Sequence, residues 1–468
     1  MKTGDCRMTL RLGRVALCLG GWMWLVLPAV AGDSYCFRLY LKDKGVPETA
    51  VASPETFLSA EALERRTKRN VEITLSDVPI ASSHLASIVA TGVRVVTQSK
   101  WSSSVVVESD DSLSVERLKA LPVVDSVVCV WQGNDRLTAT ACSQDTSLLT
   151  PDCEKSAETY GYGAFQLKML NGMRLHDAGR KGQEMRIAVI DAGFLHVDRI
   201  SAFASLRLLG THNMVFPGHS VFCEDDHGTK VLSCLGANLP GVMIGAAPEA
   251  SYLLIKSEDT RFEYPIEEDY WAAAIEYADS VGIDIVSSSL GYYRFDTADT
   301  IYTPSDLDGR TAFISRVAQT AADKGILVFC SAGNEGRHEW EKITFPADAP
   351  DVLTVGAVAD DEQLSAFSSK GFTADYRVKP DVVALGSGVC VIDADGAMQH
   401  TNGTSFSTPV VAGLGACLWQ ALPWLDNKEL IALIRRTASQ AEQPDAERGY
   451  GIPDLYKAYI RELNGPVQ

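Results

Sequence analysis

The amino-acid sequence predicts an α/β domain with a parallel sheet, preceded by a small α+β domain. Three observations support this fold class. The 468 residues exceed what one hydrophobic core usually serves. After residue 160, short apolar runs rich in β-branched residues alternate with helical patterns, as in a parallel sheet buried on both faces. Between residues 132 and 163, Ser, Thr and Pro crowd together without periodicity and separate the two domains.

The first 31 residues have the pattern of a secretory signal peptide. An apolar run over 15–30 follows a basic leader that contains Lys2, Arg7, Arg11 and Arg14. Small residues at Ala29 and Ala31 then fit a cleavage site before Gly32. The run is too short and wrongly flanked for a stable membrane span. We therefore expect export through the general secretory route to the periplasm or the medium, with no membrane span after removal of the signal.

Residues 32–134 are expected to form the small α+β domain. A strand over 35–41, a helix over 59–66, strands over 93–98 and 103–108, a helix over 113–121 and a strand over 123–130 follow one another. This order is ferredoxin-like. The same residues could equally form an independent binding module. Residues 135–160 are predicted to be an exposed linker that contains the maturation site, because proteolytic nicking concentrates in such segments.

Residues 161–462 are expected to form the α/β domain. Buried parallel strands are predicted over 187–190, 251–255, 283–287, 326–331 and 352–358. Helical patterns lie between them, for example over 269–281 and 311–324. In an open α/β sheet, functional residues are expected just beyond the carboxyl ends of the strands.

Charge and cysteine content narrow the function further. A formal net charge of −18 argues against a nucleic-acid partner, because phosphate binding needs a clustered basic surface, and it favours solubility. Nine of the eleven cysteines follow the leader, and an odd number cannot all pair within one chain. Cys142 and Cys153 are candidates for a disulfide, since export permits one. Core positions are expected for Cys234, Cys330 and Cys417.

Four polar residues stand where a parallel sheet would place its chemistry. Asp191 and Asn334 each follow a predicted buried strand, His227 opens an apolar run, and Ser405 begins an apolar helical run. Each residue has an ordinary structural alternative when it is taken alone. Asp191 and Asn334 suit turns, His227 suits a cap or a metal ligand, and Ser405 with Thr404 suits a helix N-cap.

A metal site near His227 is the other reading of the same segment. Cys223, Asp225 and Asp226 are close in sequence. No second ligand pair stands at zinc-like spacing, so we predict no metal site.

In their order along the chain, these motifs resemble those of the subtilisin-like (subtilase) family of serine peptidases. They are Asp-x-Gly at Asp191, His-Gly-Thr at His227, Ala-Gly-Asn at Asn334 and Gly-Thr-Ser-x-x-x-Pro at Ser405. The resemblance covers roughly residues 160–460 and includes Ser289-Leu290-Gly291, Ala246-Ala247-Pro248-Glu249-Ala250 and Lys379-Pro380-Asp381. The upstream domain resembles an inhibitory propeptide of exported Bacteroidetes-type members, on the evidence of Phe57-Leu58-Ser59, Arg65-Arg66 and Ser99-Lys100-Trp101.

The resemblance implies a three-layer subtilisin-like domain and a secreted endopeptidase made as a zymogen. In this chemistry Ser405 is the nucleophile, His227 its base, and Asp191 the group that orients the imidazole. The Asn334 side chain and the Ser405 N–H would stabilise the oxyanion. The substrate cleft would be lined by Ser289, Leu290, Gly291, Ala332 and Gly333, whose glycines leave room for a side chain.

Partners and cofactors follow from the same resemblance. The substrates would be proteins or peptides, the propeptide would be an intramolecular inhibitor, and the chain is expected to be a monomer. No cofactor is required for the chemistry. Structural calcium is common in the family, but no ligand loop such as an EF-hand spacing assigns a site.

Some residues depart from the family pattern. Ala192 stands where Ser or Thr is common, which would remove one hydrogen bond to Asp191. Tyr292 would narrow the specificity pocket, and Glu335 near the pocket could favour a basic side chain before the cleaved bond. Inserted segments over 259–270 and 292–310 would build extra cleft walls.

Two other functions remain open at this point. The chain could be a pseudopeptidase that binds peptides through an intact cleft, although such a protein has no need of all four motifs. It could instead cleave esters or small amides, although the Gly-x-Ser-x-Gly pattern that favours this reaction is absent around Ser405.

Overall fold

The computed structural model describes residues 34–133, 142–143, 145–296 and 302–464. The predicted signal peptide and residues 135–141 and 144 of the predicted linker lie outside the described residues. None of the helices within the described ranges combines the length and apolarity needed to cross a bilayer.

The first domain is a four-stranded antiparallel sheet with three helices, whereas the sequence predicted the four strands and two of the helices. The elements are β1 (Ser34–Leu41), α1 (Ala60–Lys68), α2 (Ser82–Val89), β2 (Arg94–Ser99), β3 (Ser104–Ser109), α3 (Ser114–Lys119) and β4 (Val124–Gly133). The sheet order β2-β3-β1-β4 is ferredoxin-like. Ser59 caps α1 by accepting the Ala62 N–H at 3.1 Å. The helix α2 was not predicted, because its short segment lacks a clear apolar period.

The second domain is an α/β domain with a seven-stranded sheet, and this prediction is also confirmed. The sheet has the order β13-β12-β11-β10-β5-β9-β6, and all of its strand pairs are parallel. Its strands are β5 (Arg186–Asp191), β6 (Arg207–Asn213), β9 (Ser251–Lys256), β10 (Ile285–Ser288), β11 (Leu327–Ser331), β12 (Leu353–Val358) and β13 (Val382–Leu385). Two short hairpins are β7 (Asn238–Leu239) with β8 (Met243–Ile244), and β14 (Val389–Ile392) with β15 (Met398–Thr401). The edge strand β6 was not predicted, because it is largely exposed and carries no buried apolar run.

Helices cover both faces of this sheet. They are α4 (Ala164–Met169), α5 (Gly172–Asp177), α6 (His227–Gly236), α7 (Ile266–Ser280), α8 (Phe313–Asp323), α9 (Thr404–Ala421), α10 (Asn427–Thr437) and α11 (Leu455–Leu463). One apolar cluster joins α6, α9, α10 and α11 to the sheet, and a second joins α7 and α8 to it. Nearly all of α9 is buried, so the helix that begins at the Ser405 motif is a central support of the domain.

Buried ion pairs hold the first domain to α7 of the second. Arg66 contacts Asp279 at 2.8 Å, and Arg38 contacts Asp269 at 2.7 Å. The buried Glu276 carboxylate accepts hydrogen bonds from the Ser99 hydroxyl at 2.5 Å and from the Lys100 backbone N–H at 2.8 Å. The segments 65–66 and 99–101, which the sequence singled out, therefore lie at this interface.

The Lys379-Pro380-Asp381 motif has a structural role under β12 and β13. Asp381 is fully buried and accepts hydrogen bonds from Lys379 Nζ and Arg435 Nε, both at 2.8 Å, and from the Thr354 N–H at 2.6 Å. Burial alone would raise the pKa of Asp381, but the two cations hold it below its ordinary value. A buried carboxylate of this kind stabilises the fold only while both cations remain.

Cysteine pairing differs from the sequence expectation. Cys142 forms a disulfide with Cys223, across 81 residues, and Cys153 is a free thiol. Sequence proximity favoured Cys153, whereas the fold brings the linker against the loop that precedes His227. Burial of Cys234, Cys330 and Cys417 is as predicted.

Candidate active site

Asp191 and His227 form the polar centre of the site. Asp191 is the last residue of β5 and is fully buried, and His227 is the first residue of α6. The His227 Nδ1 lies 2.7 Å from the Asp191 Oδ1. Burial alone would lower the pKa of His227, but the charge and hydrogen bond of Asp191 raise it above its ordinary value. This contact fixes the ring and leaves Nε2 as the nitrogen available for proton transfer.

Gly193 and Gly228, the glycines of the two motifs, allow the end of β5 and the start of α6 to lie in contact. A Cβ on Gly228 would lie 2.3 Å from the Gly193 carbonyl oxygen, and a Cβ on Gly193 would lie 2.0 Å from the Glu224 carbonyl oxygen. Side chains at these positions would push β5 and α6 apart. The glycines of Asp-x-Gly and His-Gly-Thr are therefore needed because the two backbones are in contact.

Ala192 leaves Asp191 with one oxygen that lacks a partner. The Ala192 backbone N–H donates to Asp191 Oδ1 at 2.8 Å, while Asp191 Oδ2 has no hydrogen-bond partner among the described residues. This agrees with the expectation that Ala192 removes a bond that a hydroxyl would make. The same turn is held by Lys256, whose buried Nζ donates to the Ala192 carbonyl at 2.6 Å.

Ser405 is the second residue of α9, so it is not the N-cap that its sequence context allowed. Gly403 occupies the cap position and has no side chain to cap the helix. The Ser405 hydroxyl donates to the Ser289 carbonyl at 3.3 Å, and the Ser289 hydroxyl donates to the Ser405 carbonyl at 2.8 Å. These two bonds join the start of α9 to the segment after β10.

Pro409 lies within α9 and is its sixth residue. Because proline has no N–H, the Ser405 carbonyl cannot accept the usual bond from four residues onward. The Ser289 hydroxyl takes that place at 2.8 Å.

Thr404 orients the side chain of Asn334. The Asn334 Oδ1 accepts hydrogen bonds from the Thr404 backbone N–H at 2.9 Å and from its hydroxyl at 3.1 Å. The Thr404 hydroxyl also accepts the Gly333 N–H at 3.2 Å. With its oxygen held in this way, Asn334 presents its amide N–H₂ as a donor. From its sequence context Thr404 was expected only to help cap the helix, so this role was not predicted.

These side chains border one open cleft of about 570 Å³. Most of the predicted site residues line it, namely His227, Ser289, Leu290, Gly291, Gly333, Asn334 and Ser405. Asp191 and Ala332 are fully buried behind it. The inserted segment over 259–270 builds one wall, as expected, and Asp296 contributes from the second insertion.

One acidic cluster in this wall could hold a cation. Carboxylate oxygens of Glu258, Glu263 and Glu267 lie within 4.8 Å of one another. Burial raises the pKa of Glu258 to about 8 and that of Glu263 to about 7. Glu258 already accepts the Tyr292 hydroxyl, and Glu267 accepts the N–H groups of Asp259 and Tyr264 at 3.1 and 3.2 Å. Clusters of acidic groups are common in proteins without an ion, so these three carboxylates alone do not assign a calcium site.

The fold and the cleft together have the features of an α/β serine hydrolase. They combine a parallel sheet, a carboxylate–imidazole pair and a serine at the start of a buried helix. Comparison with known proteins identifies the family. The model of the subtilase family matches residues 182–452, and that of the Peptidase S8 propeptide domain of Bacteroidota matches residues 36–145. The chain belongs to the subtilase family and is a subtilisin-like serine peptidase that carries a propeptide domain.

Individual relatives agree with this assignment. Subtilisin E of Bacillus subtilis (strain 168) is 30% identical over 288 residues, which cover 60% of this chain and 67% of the relative. Subtilisin of Bacillus pumilus is 30% identical over 60% of this chain and 93% of its own length. The minor extracellular protease Epr of Bacillus subtilis (strain 168) is 26% identical over 78% of this chain and 54% of its own length.

Proposed function

We propose that this chain is a secreted serine endopeptidase that hydrolyses peptide bonds of proteins through an acyl-enzyme on Ser405. The observation that carries the proposal is the 2.7 Å contact between His227 Nδ1 and Asp191 Oδ1 in the cleft that Ser405 also lines. Family membership supports the reaction class.

The first half of the reaction forms the acyl-enzyme. His227 Nε2 takes the Ser405 hydroxyl proton, which requires that hydroxyl to leave its 3.3 Å bond to the Ser289 carbonyl. The Ser405 oxygen attacks the scissile carbonyl carbon, and the imidazolium is stabilised by the buried Asp191 carboxylate. His227 then gives its proton to the leaving amine nitrogen as the C–N bond breaks.

The second half releases the product by hydrolysis. A water molecule gives a proton to His227 and attacks the acyl carbon, and the proton returns to Ser405 as the ester bond breaks. In both halves the carbonyl oxygen becomes an oxyanion. The Asn334 amide N–H₂, which is oriented by Thr404, and the Ser405 backbone N–H are the donors for it.

We also propose that the chain is made as an inhibited precursor. Residues 1–31 are the signal peptide, 32–134 the inhibitory propeptide, 135–160 the linker with the maturation site and 161–462 the peptidase domain. Contacts at the end of β4 support the inhibitory role, because Trp131 packs against Tyr264 with ring centroids 6.2 Å apart. Tyr264 belongs to the segment that forms one cleft wall, so the chain leaves the propeptide domain beside the cleft. The export predicted from the leader places the mature enzyme in the periplasm or the medium.

The decisive test is covalent labelling with a fluorophosphonate probe combined with a casein digest read by mass spectrometry. We expect labelling and internal cleavage of casein by the wild-type chain, and loss of both in Ser405→Ala. Ser407→Ala, on the same buried helix, is the matched control and should keep both. A peptide-binding chain that is never labelled would indicate a pseudopeptidase. A labelled chain that hydrolyses only small esters or amides would indicate an esterase or amidase instead of an endopeptidase.

A further inference from the structure

The Cys142–Cys223 disulfide ties the predicted linker to the loop that precedes His227. This loop is itself held beside the active site. The Asp225 side chain accepts the His227 N–H at 2.7 Å, and the Asp225 carbonyl accepts the Leu195 N–H at 3.0 Å. The linker is therefore bonded covalently to a segment whose position is fixed by the active site.

The linker after Cys142 also lies against the peptidase domain. The Leu149 N–H donates to the Arg199 carbonyl at 2.9 Å, and the Leu149 carbonyl accepts the Ser201 N–H at 2.8 Å. The Arg199 guanidinium donates to the Asp145 carbonyl at 2.6 Å. The Leu149 side chain is partly buried against the apolar cluster that joins α6 and α9 to the sheet. These contacts fix the first half of the segment.

The second half of the segment is held in the same way. The Ser156 N–H donates to the Gly241 carbonyl at 2.8 Å. The Tyr160 hydroxyl lies 3.1 Å from Nδ1 of the buried His176, and the two rings stack with centroids 5.7 Å apart. We call the described residues between 142 and 160 the arm. The arm is fastened to the peptidase domain at its start, in its middle and at its end.

Peptide bonds of the arm are nevertheless open to a protease. Leu148 is 69% exposed, and Lys155 and Glu158 are exposed as well. A cut at such a position hydrolyses one peptide bond with one water molecule and leaves the S–S bond intact. The residues before the cut, including the propeptide domain, then stay bonded to Cys223 through Cys142. A cut in the arm therefore does not release the propeptide domain.

A propeptide domain that stays attached also stays docked. The buried ion pairs of Arg38 and Arg66 with α7 hold it to the peptidase domain. When these contacts open, the covalent link keeps the domain nearby at an effective concentration on the order of millimolar, so the contacts form again. A cut before Cys142 has the opposite effect, because no bond then joins the two domains.

We propose that the Cys142–Cys223 disulfide decides which cleavage activates the precursor. Only a cut on the amino-terminal side of Cys142 releases the propeptide domain, and the arm stays on the mature enzyme beside the loop that precedes His227. This inference rests on the proposed function, in which an inhibited precursor is cleaved in the linker. A dithiol provides another route after a cut in the arm: it transfers two electrons and two protons to the disulfide, becomes a disulfide itself, and leaves two cysteine thiols.

The first measurement is the intact mass and the amino-terminal sequence of the mature enzyme, purified without reductant. We expect every active species to retain Cys142, bonded to Cys223. In the double variant Cys142→Ser/Cys223→Ser, cuts in the arm also free the propeptide domain, so active species that begin after residue 142 should appear. Cys153→Ser is the matched control, because Cys153 is a free thiol in the same arm. Its amino termini should equal those of the wild type.

The second measurement separates the disulfide from the peptidase activity. The recognition sequence of a site-specific protease is inserted into the Ser405→Ala chain, after Gly133 in one variant and after Ser147 in another. On denaturing gels without reductant, the cut after Gly133 should release all of the propeptide domain, and the cut after Ser147 should release none. Dithiothreitol should make the second variant release it completely. This pair of variants keeps the proposal testable if the double cysteine variant does not fold.

Two results would overturn this role of the disulfide. One is an active mature enzyme that lacks Cys142 when it is purified without reductant. The other is release of the propeptide domain by the cut after Ser147 in the absence of reductant. A wild-type chain that stays uncut and is not labelled by the fluorophosphonate probe would instead reject the proposed peptidase function, and the two externally cut chains would still decide the role of the disulfide.

Discussion

Replacing Arg66 with Met should loosen the propeptide domain from the peptidase domain. Arg66 lies on α1 and binds two fully buried carboxylates, Asp77 of its own domain at 2.9 Å and Asp279 of α7 at 2.8 Å. Asp77 also binds Lys324 of the peptidase domain at 2.7 Å, and Asp279 binds Arg65. The side chains thus form one charged network across the interface, with almost no access to solvent.

The magnitude follows from what the substitution leaves behind. Removal of one partner from a buried ion pair costs about 3–5 kcal/mol, because an uncompensated charge stays buried. Here each carboxylate keeps one cation, namely Lys324 for Asp77 and Arg65 for Asp279, so we expect the lower limit of about 3 kcal/mol. At 1.36 kcal/mol per factor of ten, the detached population should rise about 100-fold.

The assay is native-state digestion with thermolysin in the Ser405→Ala background, so that the proposed peptidase activity cannot contribute to the digestion. Peptides from residues 34–133 are followed by mass spectrometry. When opening is fast relative to cleavage, the digestion rate reports the population of the detached domain. Arg94→Met is the matched control, because Arg94 pairs with Glu108 on the surface of the same domain and is 68% exposed. Its effect should stay below about fivefold. Equal digestion rates for the two variants would refute the argument that the buried network holds the domain.

Two further substitutions test the site and the fold. Asp191→Asn removes the charge that raises the pKa of His227, so the acid limb of the pH–rate profile should move to lower pH. In the same variant kcat should fall by about 10⁴-fold. An acid limb that does not move would contradict the pairing of Asp191 with His227. Asp381→Asn leaves the buried cations Lys379 and Arg435 unpaired and should lower the free energy of unfolding by about 3–5 kcal/mol in urea titrations. The pKa of Asp381 in the folded state is depressed, so its contribution to the free energy of unfolding is present above about pH 3.9 and is lost as the pH falls through the folded pKa. In acid titrations the variant should therefore lose less stability than the parent. An equal loss of stability would refute the role of this carboxylate.

Much of the fold could be predicted from local pattern. Strands β5, β9, β10, β11 and β12 are buried on both faces, so each is a short continuous apolar run that stands out in the sequence. The edge strand β6 escaped prediction because one side of it faces solvent, and its sequence is correspondingly mixed. The helix α2 escaped because a segment of eight residues contains too few turns for a period to be recognised.

The cysteines show the limit of reasoning from proximity along the chain. Cys153 was the nearer partner for Cys142, but the disulfide joins Cys142 to Cys223 across 81 residues. Disulfide pairing depends on which Cβ atoms meet in space, and this depends on how the linker packs on the peptidase domain.

Part of the candidate site could likewise be predicted from the sequence, and part of it depends on contacts made only in the folded chain. The sequence by itself singled out the four candidate residues Asp191, His227, Asn334 and Ser405, because each stands at a predicted strand end or helix start and their motifs occur in the order of the subtilase family. Only the tertiary structure decided how Thr404 orients Asn334, since that contact joins residues 70 positions apart. It also decided that the Ser289 hydroxyl binds the Ser405 carbonyl, across 116 positions. The physical reason is that chemical identity is written along the chain, whereas hydrogen-bond partners depend on side chains that meet only after the sheet has formed.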